Sequence, residues 1–421
     1  MPQQASRRSF LQRAGGAALA PGVAAALGKS TPVWASAPPA DEDYWEMVRR
    51  QFSFPESRVP MNAANLCPSP RAVADQVAEL TRDIDADCSF QNRAKFQDLL
   101  ETSRQRVAQH LGVSADEIAL VRNTSEANNT VNNGLALKPG DEVVVWDQNH
   151  PTNNVAWDVR AARFGLRVRR VHTPAAPADA GQLVSVFEGA FGPRTRVLAL
   201  THVSNVSGLR LPVRELCESA HRRGIYVHVD GAQTWGALNV NLRELGCDSY
   251  AASAHKWFMG PKEVGLLYVR KERIAEVWPN VVAPGWGSKV EPAVKGARKF
   301  ESLGQRDDAA LAAVATAVDF HLAIGPARVE ARVCELTNAL KAGLKEAGAE
   351  LVTPLDPALS AGVCVIRVPS GKGDQVYHKL YTQHGIAGAP TGGLRLCPHV
   401  YNTREHVERA VRGVKALLPR G

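Results

Sequence analysis

From about residue 41 onward, the pattern of apolar and polar positions predicts helices and short strands in turn. Apolar residues recur at helical spacing in 71–83, 95–111 and 126–137, and short apolar runs typical of buried strands follow. The predicted strands are 118–121, 141–147, 166–171, 196–202, 225–231, 248–253 and 264–269, and helices 152–164 and 212–223 lie between them. Strands that alternate with helices in this way predict a mostly parallel sheet covered on both faces.

The pattern changes after about residue 310. A long helix is followed by strand 363–368, helix 373–384, strand 393–397 and helix 403–417, which indicates a smaller α+β domain. A glycine- and proline-rich segment, 279–308, joins the two parts. We therefore predict a large domain over 60–305 and a small one over 306–421, with segment 41–60 packed on the small domain.

The first 37 residues have a different composition from the rest of the chain. A basic start precedes an apolar run rich in alanine and glycine, and Arg7–Arg8 followed by Ser9, Phe10 and Leu11 resembles a twin-arginine export signal. We predict a signal peptide over 1–37, cleaved after Ala35 or Ala37, and a periplasmic mature protein. The alternative is an unprocessed, disordered N-terminus.

Composition and charge narrow the class of protein. The chain has 421 residues, of which 45% are hydrophobic, and its formal charge is +8. Cleavage after Ala35 would remove four basic residues and no acidic ones, which leaves +4. A mild excess of positive charge without clusters of Lys and Arg predicts neither nucleic-acid nor membrane binding by the mature form.

The seven cysteines include no C-x-x-C pair, so no zinc or other metal site is predicted. Twin-arginine passengers fold in a reducing cytoplasm, so free, buried thiols are expected.

Polar residues follow several predicted strands at their carboxyl ends, where ligands bind in open α/β sheets. Each feature alone is more often structural, such as a helix cap, a solvated lysine or an inert loop histidine. The segments are "NTSEANN" (123–129), "NHPTNN" (149–154), "HVSNVSG" (202–208), "HVDGAQ" (228–233) and "SAHKW" (253–257).

Together these segments meet the needs of one cofactor. A lysine at a strand end can form a Schiff base with an aldehyde, and a buried aspartate can hold a pyridine nitrogen protonated. A helix N-terminus with hydroxyl side chains can hold a phosphate. Pyridoxal 5′-phosphate (PLP) carries an aldehyde, a pyridine nitrogen and a phosphate, so the sequence predicts PLP as the cofactor.

The order D-G-A-Q followed by S-x-H-K, preceded by H-V-S-N-V-x-G and N-T-S-E-A-N-N, resembles the class V aminotransferase family. That family includes cysteine desulfurases, isopenicillin N epimerase-like proteins and C–S lyases. The resemblance covers about residues 60–417. It implies an α/β fold-type I PLP-transferase, with a mostly parallel seven-stranded sheet in the large domain and a smaller C-terminal α+β domain.

The resemblance also assigns roles at the ring and its aldehyde. It implies that Lys256 is the Schiff-base lysine, and that this lysine then takes and returns the Cα proton. Asp230 would be the partner of the pyridine nitrogen, and His150 would stack on the ring. Gln233 and Asn205 would donate hydrogen bonds to the ring hydroxyl.

Further roles concern the phosphate and the substrate. The implied phosphate contacts are Thr124, Ser125, Ser253 and His255. Arg395, in "LRLCPHVYNT", would bind the substrate carboxylate, which a planar guanidinium suits.

The family usually forms homodimers, in which a loop of the partner chain reaches the phosphate. The corresponding loop here is "ESLGQRDD" (301–308), with Gln305 where threonine is typical, and this form favours the epimerase-like branch. Cysteine desulfurases carry a loop cysteine upstream of the carboxylate arginine. The stretch 381–396 has none, so persulfide chemistry is not expected.

We therefore expect a PLP enzyme that acts at Cα of an amino-acid or peptide substrate, by transamination, epimerisation or elimination, including a C–S lyase. With the export signal, the chain resembles in layout periplasmic enzymes that modify a pyoverdine-type siderophore peptide. Two alternatives come from other classes. A nucleotide-binding or hydrolytic α/β protein would need phosphate-loop, dinucleotide-binding or nucleophile motifs that are missing here. A binding protein that keeps the PLP-enzyme fold but has lost catalysis would not need Lys256, Asp230 and His150.

Overall fold

The computed structural model of the chain describes residues 42–283, 294–369 and 373–418. The predicted signal peptide over 1–37 and part of the crossing segment, 284–293, lie outside the described residues. In chain order the strands are β1 (Val59–Pro60), β2 (Ile118–Val121), β3 (Glu142–Trp146), β4 (Arg167–Val171), β5 (Thr195–Thr201), β6 (Tyr226–Asp230), β7 (Ser249–Ser253), β8 (Gly265–Val269), β9 (Cys364–Ile366), β10 (Ile386–Ala387) and β11 (Leu394–Leu396).

The helices surround the sheets. In chain order they are α1 (Glu42–Arg49), α2 (Arg71–Ala86), α3 (Phe90–Arg93), α4 (Lys95–Leu111), α5 (Thr124–Gly134), α6 (Pro151–Phe164), α7 (Ala180–Glu188), α8 (Val213–His221), α9 (Leu242–Leu245), α10 (Asp308–Ala312), α11 (Val314–Ile324), α12 (Pro326–Glu346), α13 (Gly373–His384) and α14 (Arg404–Leu417).

The central sheet has seven strands in the order β2-β8-β7-β6-β5-β3-β4. The pairs from β4 to β7 are parallel, and β8 runs antiparallel to both of its neighbours, β7 and β2. The inner strands β3, β6, β7 and β8 are buried along their whole length, as expected for strands with helices on both faces. The predicted α/β class and the mostly parallel seven-stranded sheet are confirmed.

The edge strand β4 has a different composition. Its sequence RVRRV exposes Arg167, Arg169 and Arg170, while Val171 is buried. Charged side chains on an edge strand oppose pairing with another sheet, so β4 closes this side of the sheet.

The C-terminal part has its own apolar cluster. Leu336, Leu340 and Leu344 of α12 pack there with Ile366 and Leu380, and Val59 of β1 joins them. β9 pairs antiparallel with β11, and β1 pairs in parallel with β10, with Val59 opposite Ile386. The N-terminal segment thus contacts the C-terminal part, while the domain boundary after residue 305 stays a prediction.

Within the described residues, no single helix is long and apolar enough to cross a membrane. The stretches Asp308–Ile324 and Pro326–Glu346, which meet at 74°, pass such a test only as a bent pair and only by length and composition. No group of three or more His, Cys, Asp or Glu side chains suited to a metal ion occurs in this part of the chain.

Candidate active site

Asp230 and Ser253 are the last residues of the adjacent parallel strands β6 and β7. The ladder pairs Asp230 with Ala251, and Lys256 follows the end of β7 by three residues. Asp230 is only 1% exposed. The sheet therefore places a buried carboxylate and the segment with the lysine at the same edge, as the sequence predicts.

A tight turn after β7 carries Lys256. The turn is closed by hydrogen bonds from Gly260 N–H to Ala254 O at 2.7 Å and from Met259 N–H to Lys256 O at 2.9 Å. Met259 has a φ of 52°, a left-handed conformation that is costly for a residue other than glycine. Such strain persists only where the surroundings fix the backbone, and it is common beside active-site groups.

The aromatic ring of Phe258 anchors the same turn from below. It stacks on Trp235 with ring centroids 3.8 Å apart, and on His321 with centroids 4.5 Å apart. All three side chains are buried. The turn that bears Lys256 is thereby fixed to the core on the side away from solvent.

The charges of four predicted site residues act on one another. Burial lowers the pKa of Lys256, Asp230 opposes that shift, and Arg395 adds to it. Burial also lowers the pKa of His150, with Lys256 and Arg395 adding to the shift and Asp230 opposing it. Because such interactions fall off steeply with distance, Lys256, Asp230, His150 and Arg395 form one cluster.

A second lysine nearby provides a contrast. Burial lowers the pKa of Lys262 as well. Its amine, however, donates to Cys67 O at 3.0 Å and to Ser69 Oγ at 2.8 Å. No such bond engages the Lys256 amine among the described residues, so Lys256 is the lysine whose nitrogen is free to react.

The N-terminus of α5 lies where the sequence predicts the phosphate cup. Ser253 Oγ accepts from Thr124 N–H at 2.8 Å and lies 2.6 Å from the Thr124 hydroxyl, so strand β7 and helix α5 meet here. Asn123 caps the helix by accepting from Glu126 N–H at 3.0 Å. The N–H and hydroxyl of Ser125 have no partner among the hydrogen bonds of the described residues, which leaves donors at a helix N-terminus for an anion.

Two further residues are close to Asn123 or Ser253, Gly265 in space and His255 in sequence. Gly265 of β8 lies so close to the cap that a Cβ atom would meet Asn123 Cα at 2.8 Å, so only glycine fits. His255 is half-buried, and burial together with Lys256 and Lys262 lowers its pKa to about 4. Near neutral pH His255 is therefore an uncharged imidazole, which can donate one hydrogen bond.

His150 is the N-cap of α6 and follows the last residue of β3 by four positions. Its Nδ1 lies 2.8 Å from the Thr152 hydroxyl, and Pro151 occupies the first helical position. The neighbouring Asn149 is buried and bridges to β5, since it donates to Ala199 O at 2.9 Å and accepts from Thr201 N–H at 2.7 Å. Asn149 thus extends the β3–β5 ladder beyond the strand ends and fixes the loop of His150.

Arg395 is the middle residue of β11. It donates to Asn205 O at 3.0 Å and to Asn62 Oδ1 at 3.1 Å, and its Nε is buried without a partner. Two hydrogen bonds therefore fix the orientation of the guanidinium, and its Nε–H remains available to donate to a carboxylate. Asn62 was not predicted, because a lone asparagine 333 residues away in sequence carries no signal of this contact.

The remaining predicted residues are placed as follows. Gln233 is buried, donates to Ala64 O at 3.0 Å and accepts from Trp257 Nε1 at 2.8 Å, and the second N–H of its amide has no recorded acceptor. The Asn205 side chain has no hydrogen bond among the described residues. Gln305 is exposed, with its amide bonded to Arg93 and to Arg306 O, so it does not join the cluster in its own chain. Its contact with a partner's phosphate stays a prediction.

These residues fit PLP. Asp230 suits the ring nitrogen, the Ser125 donors suit the phosphate, and the Lys256 amine suits the aldehyde. When bound, PLP supplies an electron sink for the electron pair left at a substrate's Cα. In such a reaction Arg395 would hold the substrate carboxylate, and the Lys256 nitrogen would take and return the proton.

A surface cavity of about 470 Å³ lies elsewhere, beside α8 and α9. Its lining includes His202, Arg210, Asn241 and Glu330 but none of the predicted site residues. The cavity therefore does not mark the reaction site.

Comparison with known proteins identifies the family. The family model described as "Aminotransferase class-V" matches residues 63–413. The chain is 31% identical over 391 residues to isopenicillin N epimerase of Streptomyces clavuligerus and 33% identical over 392 residues to that of Amycolatopsis lactamdurans. In each case the match covers 89% of this chain and 98% of the relative.

Solved structures show the same fold. A lysine-to-alanine mutant of C-DES, with glycine covalently linked to its PLP cofactor, superposes with a TM-score of 0.80 at 25% identity, covering 87% of this chain and 98% of that one. The cysteine desulfurase of Thermococcus onnurineus also gives 0.80 at 25% identity, covering 89% and 98%.

Fold and site define a fold-type I PLP enzyme. The chain belongs to the class V aminotransferase family, and its similarity to the epimerases supports the epimerase-like branch. The predicted family, enzyme class and cofactor are confirmed.

Proposed function

We propose that this enzyme removes and returns the α-proton of an amino-acid unit, free or within a peptide, in an epimerase- or aminotransferase-type reaction. The observation that carries the proposal is the cluster of Lys256, Asp230 and Arg395. The lowered pKa of Lys256 makes its neutral amine, the form that accepts a proton, more available at neutral pH. Arg395 places a substrate carboxylate beside it.

The similarity to isopenicillin N epimerases favours epimerisation over transamination as the reaction. Those matches extend over nearly the whole length of both proteins. Epimerisation requires only that the proton leave one face of Cα and return to the other, with no second substrate.

The cysteines argue against a desulfurase. Cys364 and Cys397 flank the segment of Arg395, but both are buried, and burial raises the pKa of both thiols. A buried neutral thiol is a poor nucleophile. Since 381–396 contains no cysteine, no thiol is placed to attack a substrate sulfur there.

A C–S lyase is the second candidate. C-DES, solved as a cystine C–S lyase with cysteine persulfide, superposes with a TM-score of 0.79 at 25% identity, covering 86% of this chain and 98% of that one. Elimination starts with the same proton removal but needs a leaving group on Cβ. It requires no enzyme thiol, so the buried cysteines do not exclude it.

The reaction classes are separated by incubating the PLP-loaded enzyme in heavy water with amino acids, cystine and short peptides. Deuterium at Cα together with inversion supports epimerisation, and a keto acid formed with an added keto-acid acceptor supports transamination. Cysteine persulfide with pyruvate and ammonia from cystine would overturn the proposal in favour of the lyase. Absence of α-deuterium with every substrate, in enzyme that binds PLP, would also contradict it.

We further propose that the protein is exported by the twin-arginine machinery and acts in the periplasm, on a peptide such as a pyoverdine-type siderophore. The support is the Arg7–Arg8 motif followed by Ser9, Phe10 and Leu11. Cell fractionation tests it: replacing both arginines with lysine should leave the protein in the cytoplasm. Equal periplasmic amounts of both forms would contradict the proposal.

A homodimer is also proposed. Phe90 is 89% exposed, and Trp278 and Val282 are 59% and 61% exposed, so a subunit interface that covers them would remove large apolar side chains from water. Light scattering of the purified protein should give twice the chain mass, and a concentration-independent monomer would contradict this.

A further inference from the structure

A chain of buried, hydrogen-bonded polar groups begins at Asp230. One carboxylate oxygen of Asp230 accepts from Ala232 N–H at 3.0 Å, and the other accepts from the Asn128 amide at 2.9 Å. The carbonyl oxygen of Asn128 lies 2.9 Å from His228 Nε2, and His228 Nδ1 lies 2.8 Å from the Ser249 hydroxyl. Asn128 and His228 are at most 1% exposed.

Three elements bring these groups together. His228 and Asp230 are two residues apart on β6, so their side chains share one face of the sheet, and Ser249 of β7 is the ladder partner of His228. Asn128 comes from α5, the helix whose N-terminus lies at the predicted phosphate cup. The same helix therefore contacts the cofactor site at two points.

The hydrogen bonds can run in only one direction. A carboxylate only accepts, so the Asn128 nitrogen must donate to Asp230 and its oxygen must accept. His228 must then carry its proton on Nε2, and its Nδ1 accepts from Ser249. Burial lowers the pKa of His228 to about 3, which keeps the ring neutral and this pattern possible. A flipped Asn128 amide would set its oxygen against the carboxylate and its nitrogen against the His228 N–H.

We infer that Asn128 and His228 are positioning residues, which orient Asp230 and keep it an anion so that the cofactor's ring nitrogen stays protonated. Neither residue touches the reacting atoms. A buried carboxylate without such donors would tend to take up a proton, and it would then lose its hold on a protonated nitrogen. The inference depends on the cofactor site alone, and not on which reaction the enzyme performs.

The groups that face Asp230 are few. Asn128 donates to its carboxylate and is itself bonded to His228, and the charges of Lys256 and His150 interact with that carboxylate. Tyr250 of β7 is near enough for Asp230 to raise its pKa, although burial is the larger cause. Tyr250 bonds to Thr234 and to Gly231 O instead of the carboxylate, so Asn128 is the neutral side-chain donor to Asp230 among the described residues.

The test compares His228→Gln with His228→Asn. A glutamine amide reaches the position of Nε2 and can donate to Asn128, whereas asparagine places its amide near the Nδ1 position and cannot. Each variant is loaded with PLP labelled with nitrogen-15 in the ring, and the ring-nitrogen signal is read by NMR at neutral pH. Cofactor affinity of the apoenzyme and thermal unfolding are measured alongside.

We expect the wild type and His228→Gln to show a protonated ring nitrogen. His228→Asn and Asn128→Leu should move the signal toward the unprotonated position and weaken cofactor binding by about tenfold, as loss of an outer hydrogen-bond partner commonly does. Unchanged ring-nitrogen signals in both latter variants would overturn the inference, even if they unfold at lower temperature, because the network would then serve packing alone. If Asn128→Leu does not fold, Ser249→Ala is measured in its place. It should shift the ring-nitrogen signal and weaken cofactor binding in the same direction, but by less.

Discussion

The two sides of the active site are built differently. The cofactor side is made by neighbouring strand ends, with Asp230 on β6, Ser253 on β7 and the Lys256 turn directly after it. The substrate side is assembled from distant segments, since Arg395 of β11 is held by Asn62 and by the backbone of Asn205. A ladder fixes the first side residue by residue, whereas the second depends on how the C-terminal part packs against the sheet.

This contrast predicts that damage to the cofactor side abolishes chemistry, while damage to the substrate side weakens binding. The largest effect is expected for Lys256→Ala, which should lower turnover on the order of a thousandfold or more, because both the bond to PLP and the proton carrier are lost. The visible absorption band of the loaded enzyme should disappear. Lys262→Ala is the matched control.

The control is informative because burial lowers the pKa of the Lys262 amine as well. Its amine is bonded to Cys67 O and Ser69 Oγ, so removing it should leave the absorption band in place. If Lys262→Ala lost the band and Lys256→Ala kept it, the assignment of the cofactor side would be wrong.

Arg395→Ala should give the next largest effect. It removes charged hydrogen bonds to a substrate carboxylate, and we expect KM to rise by roughly a hundredfold, equivalent to about 2.7 kcal/mol. Cofactor affinity, measured by titrating the apoenzyme, should stay within about twofold of wild type, since Arg395 belongs to the other side. If Arg395→Ala weakened cofactor affinity as much as it raised KM, the proposed difference between the two sides would be wrong.

Asn62→Ala should act more weakly in the same direction. The Asn62 side chain orients one arm of Arg395, while the Asn205 carbonyl still holds the other. Because the charged Arg395 would lose one neutral acceptor, we expect KM to rise by about tenfold, with little change in turnover. Steady-state kinetics measure this, and a fall in turnover at constant KM would argue that Asn62 contacts the reacting atoms.

The smallest effect concerns acid stability. Burial lowers the pKa of His228, on the cofactor side, and of His399, just beyond Arg395, to about 3 each. Between that pH and the ordinary histidine value of 6.5, the unfolded chain binds protons that the folded chain excludes, so stability falls as the pH drops below about 6.5. The urea midpoint should therefore be lower at pH 5 than at pH 7.

His228→Gln and His399→Gln should each reduce that loss by a similar amount, since each removes one excluded proton. A loss of stability that is the same in both variants and in the wild type would show that other groups cause it. Surface carboxylates with lowered pKa, such as Glu101 beside Arg298, act in the same direction but at more acidic pH.

The cofactor side could be predicted from the sequence because its residues follow strands that the apolar pattern reveals. "HVDGAQ" and "SAHKW" end adjacent strands, and parallel strands end at a common edge. The sheet itself was predicted for the same reason. The helix boundaries were predicted less accurately. Helix α5 begins at Thr124 instead of residue 126, because the Asn123 cap sets its start. It ends at Gly134 instead of residue 137, and a Cβ atom added to Gly134 would lie 2.4 Å from the Trp278 carbonyl oxygen.

Arg395 was predicted, but the contacts that hold it and the hydrogen-bond network that begins at Asp230 were not. Asn62, Asn128, His228 and Asn149 act through contacts between distant segments, and an isolated asparagine or histidine in a sequence gives no sign of its partner. Helix α7 was missed as well. It has nine residues and follows a proline- and alanine-rich stretch, which reads as a loop, and its packing on α8 stabilises it.

Reduction of the PLP-loaded enzyme with borohydride, followed by peptide mapping, tests the central claim most directly. Borohydride fixes the cofactor to the lysine that holds it, and mass spectrometry locates the added mass. The structure predicts that the modified peptide contains Lys256 and that Lys262 is unmodified. Cofactor mass on Lys262 or another lysine, with Lys256 unmodified, would contradict the site described above.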